Sequence, residues 1–172
     1  MSDIASTIHP ALRARHGLDE RAHQILGRRL YAVVGTENDD RTVHLAPVMF
    51  LLDGTRILIE TSTASRKARN LAARPRASVV VHTADAAWAF GSGPATITRG
   101  AEARRLNERI RAKYLTDRGQ RACGDLLGEP DDITIVVTPT RWLSWDMTEL
   151  LSSIAARGAD LDEIHDWFRP DT

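Results

Sequence analysis

Asp53-Gly54 separates two apolar runs, Thr42–Leu52 and Arg56-Ile-Leu-Ile-Glu-Thr61, and a dipeptide of that kind is the strongest short hairpin signal in a sequence. The surrounding runs are strand-like as well. Tyr31–Thr36 comes first, followed by the turn cluster Glu37–Arg41; Ala77–His82 and Ala87–Thr98 lie downstream. A sixth run opens with the alternation Ile133, Ile135, Val137 and continues toward Trp145. Pro47 has no N–H for a ladder, so the second strand should lie at an edge or bulge there. Gly91 and Gly93 predict a kink or a close backbone approach in the fifth. Strands joined by tight turns pair antiparallel, and six of them favour a closed or nearly closed barrel.

Helical spacing fills the gaps. Leu18, Ala22, Ile25, Leu26 and Leu30 form one apolar stripe. Ser65–Arg74 reads as a short helix stopped by Pro75, and Ala101–Leu115 as a longer one with Ala103, Leu106, Ile110 and Tyr114 inward. Gly119–Asp132 reads as a loop with room for one helical turn, carrying Cys123. The tail reads as two short helices broken at Gly158, the second capped by Asp160 and Glu163 ahead of Ile164 and Phe168. The organisation is an N-terminal segment (1–17) lying loosely on the surface, a barrel domain (18–146) and a C-terminal helical extension (147–172). The fold class is mainly β with peripheral helices.

Composition narrows the function. Lys+Arg and Asp+Glu are 23 each, which leaves no broad basic face for nucleic acid or an anionic membrane surface. One cysteine supplies neither an intrachain disulfide nor a thiolate metal cluster. His9, His16 and His23 recur every seven residues, whereas a metal-binding helix face prefers i, i+4 pairs, so no metal site is expected. No apolar run reaches the roughly 18 residues of a spanning helix, and Met1-Ser2-Asp3 does not open a signal peptide, so the expected location is cytoplasmic.

One junction breaks a local rule. The helix opening at Ser65 places Arg66 and Lys67 in its first turn, although a helix N-terminus already bears about half a positive charge. A bound anion would reverse that sign, meeting free N–H groups, cationic side chains and the hydroxyls of Thr61, Ser62, Thr63 and Ser65. The alternative reading is a solvated basic helix merely capped by Ser65.

The stretch Ile59–Val81, with Thr61-Ser62, Ser65-Arg66-Lys67, Asn70-Leu71 and Pro75-Arg76-Ala77-Ser78-Val79, resembles the signature of the pyridoxamine-phosphate-oxidase-like flavin/deazaflavin split-barrel superfamily. Ala46–Phe50, Gly93-Pro94-Ala95 and Arg141-Trp142…Trp145-Asp146 are similar to its flanking motifs, and the likeness spans about residues 20–146. The resemblance implies a six-stranded antiparallel split β-barrel, homodimeric, with cofactor sites at the dimer interface. By position, Thr61, Ser62, Ser65, Arg66 and Lys67 would hold the cofactor phosphate. Pro47, Val48 and Met49 would lie along the tricyclic ring, and Trp142 and Trp145 would come from the partner subunit. Trp88 stands where the oxidase proper has a glutamine, and Arg141 is the only arginine in the Trp142–Trp145 strand, so the likeness does not extend to vitamin B6 oxidation.

Lys67, Asn70 and Leu71 match the helix start with which one branch of the superfamily anchors coenzyme F-420; FMN, which also has a phosphate on a ribityl arm, is the alternative. The expected activity is an F-420-dependent oxidoreductase passing hydride to an activated C=C or C=N bond of a small organic substrate. FMN-dependent chemistry and a non-catalytic (deaza)flavin carrier or sensor are the rivals. His44 is the candidate proton donor, because imidazole titrates near neutrality; an outward-facing or hydrogen-bonded strand histidine is the competing reading. His82 is a weaker candidate of the same kind, and Tyr31 and Trp88 could line a flat substrate or belong to the core.

Overall fold

The computed structural model describes residues 13–127, 132–158 and 160. Its elements are β1 (Arg15–His16), α1 (Glu20–Gly27), β2 (Ala32–Glu37), β3 (Val43–Val48), β4 (Phe50–Asp53), β5 (Arg56–Ser62), α2 (Arg66–Ala73), β6 (Arg76–His82), β7 (Trp88–Thr98), α3 (Gly100–Tyr114), α4 (Asp117–Leu127), β8 (Asp132–Val137), β9 (Arg141–Trp145) and α5 (Met147–Ala155). Every strand pair is antiparallel, in the order β3-β2-β6-β7-β8-β5-β4, with β9 also on β7 and β1 on β9. The ends of that path, β3 and β4, are joined through Met49, so the sheet curls back on itself. The chain is mainly β, as its sequence indicates.

Two strands read as continuous are each divided. The run Thr42–Leu52 breaks at Met49, because β3 pairs with β2 while β4 pairs with β5, and a strand serving two halves of a barrel must change partners at the corner. The sixth run breaks at residues 138–140. Its halves, β8 and β9, both pair with β7, through Ala95–Thr98 and Trp88–Ser92 respectively. Gly93 faces that break. A Cβ there would lie 2.3 Å from the Thr138 oxygen and 2.8 Å from Pro139 Cα, so the expected close approach is real and sits at the second corner.

Other expectations need correction. The segment before Gly17 is not wholly loose, since Arg15 and His16 pair with Ser144 and Leu143 at the sheet edge. The loop over 119–132 is largely the helix α4, opened by the Thr116 hydroxyl accepting the Gly119 N–H at 3.2 Å, so Cys123 is helical. His16 and His23 are exposed; His9 lies outside the described residues. In the tail, Asp146 caps α5 and Gly158 takes φ +90°, in keeping with a break there; Glu163, Ile164 and Phe168 lie outside the described residues.

Inward-facing Val34, Phe50, Ile57, Ile59, Val79, Val81, Ile135 and Val137 are almost entirely buried and form the main core with Ala22, Ile25 and Leu26 of α1. Each large side chain so buried contributes about 1.5–3 kcal/mol. Outside the barrel, Ile110 of α3 packs with Leu58 and Val136. Arg111 bridges Glu60 and Asp132, which fixes α3 against β5 and β8. Among the described residues no helix is long and apolar enough to cross a membrane.

Candidate functional site

β5 delivers the chain to α2 through a tight, hydroxyl-rich turn. The Ser62 Oγ accepts the Ala64 N–H at 3.1 Å, and the Ser65 N–H donates to the Ser62 carbonyl at 3.1 Å. Ser65 is the N-cap, its Oγ accepting the Ala68 N–H at 3.3 Å. Since a helix cannot satisfy its own first N–H groups, those of Arg66 and Lys67 point out of the turn without an intrahelical acceptor. Both serine hydroxyls keep a proton to donate.

The helix is held firmly behind that turn. Ala68 and Leu71 are buried. Asn70 is 7% exposed and donates through Nδ2 to Thr36 Oγ1 at 3.1 Å and Asn38 Oδ1 at 2.9 Å, while Arg74 grips the Glu37 carbonyl and the Asp39 carboxylate. Asn70 was legible as part of a motif, but its work as an anchor between α2 and β2 was not.

The charge balance of the turn is unusual. The 23 cationic residues of the chain include only two lysines, Lys67 and Lys113. Lys67 is half-buried, and desolvation alone pushes its pKa down, with no carboxylate among the described residues forming an ion pair with it. Arg66 is exposed beside it; the Asp40 carboxyl, held acidic chiefly by hydrogen bonds from Thr42, also feels the Arg66 charge. A cation removed from water without a counterion is destabilising, and a bound anion would offset that cost. The residues present therefore suit a phosphate.

The remaining expected site residues are spread over other surfaces. Pro47 is exposed on the outer face of β3, and the paired registers run from it through Val33, Val80 and Phe90 to Leu143. On the same face Trp88 pairs with Trp145 and with His82. Val48 points inward and is 7% exposed, and Met49 packs under α3 with Leu106 and Tyr114, so neither side chain is free on the outer face. Trp142 is 8% exposed and packs in this chain's own core, against Gly91. His44 is half-buried and lies three residues from Pro47, hence on the opposite face of β3; the structure does not place it with Pro47. A groove of about 940 Å³ runs over the outer face, lined by Val33, Val43, Leu45, Val80 and Phe90 among others, and shares no residue with the Thr61–Lys67 turn.

Residues 18–146, three-quarters of the sequence, match the pyridoxamine 5'-phosphate oxidase family. The chain belongs to that family. Its fold is shared by a conserved hypothetical protein of Mycobacterium tuberculosis (Rv2991), with TM-score 0.68 and 22% identity over 80% of this chain and 91% of that one. An F420 reductase gives TM-score 0.57 and 23% identity over 70% of this chain and 94% of its own. A heme binding protein from Mycobacterium smegmatis gives TM-score 0.56 and 20% identity, covering 76% of this chain and 58% of that chain. No curated protein sequence matches. At these identities the solved structures establish the split-barrel fold.

Proposed function

We propose that the protein is an F-420-dependent oxidoreductase that reduces an activated C=C or C=N bond in a small conjugated or aromatic substrate. The carrying observation is Lys67, a half-buried amine with no carboxylate paired to it among the described residues, at the open N-terminus of α2. When bound, the deazaflavin supplies the hydride. The chain's part is to hold its anionic arm with the N–H groups of Arg66 and Lys67, the Lys67 amine, the Arg66 guanidinium and the hydroxyls of Thr61, Ser62 and Ser65. The Pro47–Met49 backbone would orient the ring and exclude water from one side. FMN would use the same cradle, since both cofactors present a phosphate to it; a colourless purified protein that quenches added F-420 fluorescence supports the deazaflavin, and a yellow one supports FMN. Binding with no turnover of any substrate would support the carrier reading.

The reading includes a homodimer. Val43 and Leu45 are each 64% exposed on an edge strand, beside the apolar row from Pro47 to Leu143. A surface of that kind on a small protein calls for a partner, and a second copy is the occupant this reading assigns to it. Val43→Asp with Leu45→Asp is expected to give a monomer by light scattering and to lower cofactor affinity about tenfold or more through the lost partner contacts. Wild-type protein that is monomeric at micromolar concentration with full affinity would contradict the interface site.

A further inference from the structure

The last two residues of α3 reach across the seam where β3 gives way to β4. Phe50 opens β4 fully buried, and its N–H, turned away from β5, has no strand to meet because β3 and β2 part from it at Met49. That N–H donates instead to the Tyr114 hydroxyl at 3.1 Å. The hydroxyl has one proton to give, and it is 2.6 Å from the Leu30 carbonyl and 3.1 Å from the Phe50 carbonyl. One phenolic oxygen thus spans both lips of the seam, Leu30, two residues before β2, on one side and Phe50, the first residue of β4, on the other. Lys113 reinforces it, donating to the Leu26 carbonyl at 2.9 Å with its ammonium 3.8 Å from the centroid of the Phe50 ring. The Tyr31 ring, 65% exposed, lies 5.7 Å from the Tyr114 ring, tilted 37° to it.

Met49 and Val48 precede Phe50 directly, so whatever holds the Phe50 peptide also sets the backbone offered to a ring. We infer that Tyr114 is a positioning residue for the tricyclic ring, its hydroxyl fixing the Pro47–Met49 backbone through the Phe50 peptide, in a role separate from the phosphate cradle of α2. This rests on the cofactor reading above. A tyrosine placed only for packing would be replaceable by phenylalanine. Here the oxygen satisfies backbone groups that burial leaves without water, and an unmade bond of that kind costs enough to move a loop edge. Lys113, whose pKa burial lowers to about 8, has its ammonium 5.6 Å from the centroid of the Tyr114 ring, and no carboxylate forms an ion pair with it among the described residues.

The test is Tyr114→Phe, titrated with FMN and with riboflavin by fluorescence quenching, and in parallel with F-420 and its phosphate-free chromophore. The expected result is a weakening of about tenfold, equal for the phosphorylated and the phosphate-free ligand of each pair, because the ring contact is lost and the cradle is intact. Lys67→Ala should show the opposite pattern, with loss confined to the phosphorylated ligands. Unchanged affinity of folded Tyr114→Phe for both members of a pair overturns the positioning role; loss for the phosphorylated ligand alone does so too. If wild-type protein binds none of the four, the cofactor reading itself has failed. Should Tyr114→Phe not fold, amide exchange in the wild type decides. The Phe50 amide should exchange more slowly with cofactor bound, and an amide exchanging at the rate of exposed loops in both states overturns the inference.

Discussion

Arg66→Ala combined with Lys67→Ala is expected to weaken cofactor binding by at least about a hundredfold while leaving the melting temperature unchanged or higher. Two charge-assisted hydrogen bonds to phosphate are each worth about 1.5–3 kcal/mol, and a hundredfold loss is about 2.7 kcal/mol, so the estimate is conservative. The stability side follows from burial. In the free protein Lys67 is a partly desolvated cation with no carboxylate paired to it among the described residues, at the end of a helix whose dipole repels it. Its removal relieves the fold. A residue that costs stability and is held by a well-anchored helix belongs to a site that trades one for the other. pH supplies an independent check. Only the ammonium form attracts phosphate, and burial has already lowered the Lys67 pKa below the ordinary lysine range. Affinity should therefore be full near neutral pH and start to fall, on the alkaline side, at a pH below that range, by up to about tenfold per unit between the free and bound pKa values. Lys67→Ala should abolish that slope. Calorimetric titration of wild type and variant across pH, with thermal melts in parallel, measures both effects. Unaltered affinity in the double variant refutes the anchor.

The second large effect is on folding. Gly93→Ala places a methyl 2.3 Å from the Thr138 oxygen and 2.8 Å from both Pro139 Cα and Thr140 N. All three are backbone atoms of the link between β8 and β9, and that link is itself pinned to β7 by the Thr138 N–H on the Pro94 carbonyl at 2.9 Å and the Thr140 N–H on the Ser92 carbonyl at 3.0 Å. No side chain can rotate away to make room. The methyl must part β7 from the corner of the barrel, at a cost of about 3 kcal/mol or more against a typical total of about 5–15 kcal/mol. The melting temperature should drop by about 6–12 °C, or the protein should fail to accumulate. Gly27→Ala is the control. A Cβ at Gly27 meets nothing within 4 Å, and the variant should melt within a few degrees of wild type.

These two sites show what the sequence could and could not disclose. The crowding at Gly93 and the misplaced charge at Arg66-Lys67 both depart from a local rule, so each is legible in the sequence. The hairpin at Asp53-Gly54, the Ser65 cap and the strand runs are likewise local patterns, and they survive into the structure. The seam at Met49 left no such mark. Every residue from Val48 to Leu52 is apolar, and only the tertiary change of partner from β2 to β5 divides them. α4 was obscured by Gly119 and Gly124, which weaken a helical reading, while the Thr116 cap that starts it is a single hydroxyl. Tyr114 was readable as an inward helix residue, yet its hydroxyl's partners lie 64 and 84 residues away.

Trp142 and Trp145, and likewise His44 and Pro47, teach a sharper lesson. Each pair is three residues apart on a strand, where successive side chains alternate, so the members must face opposite ways. That parity argument needs no structure. It separates Trp145, on the outer face, from Trp142 in the core, and Pro47 from His44, although likeness to a family motif treats such neighbours as a group.

The account turns on an anionic arm held by the opening turn of α2, and paired ligands that differ only in that arm test it most directly. Equilibrium titration of the wild-type protein with FMN against riboflavin, and with F-420 against its phosphate-free chromophore, should show the phosphorylated member of at least one pair binding a hundredfold or more tighter. Equal affinity within both pairs, or a preference for the phosphate-free ligands, would contradict it.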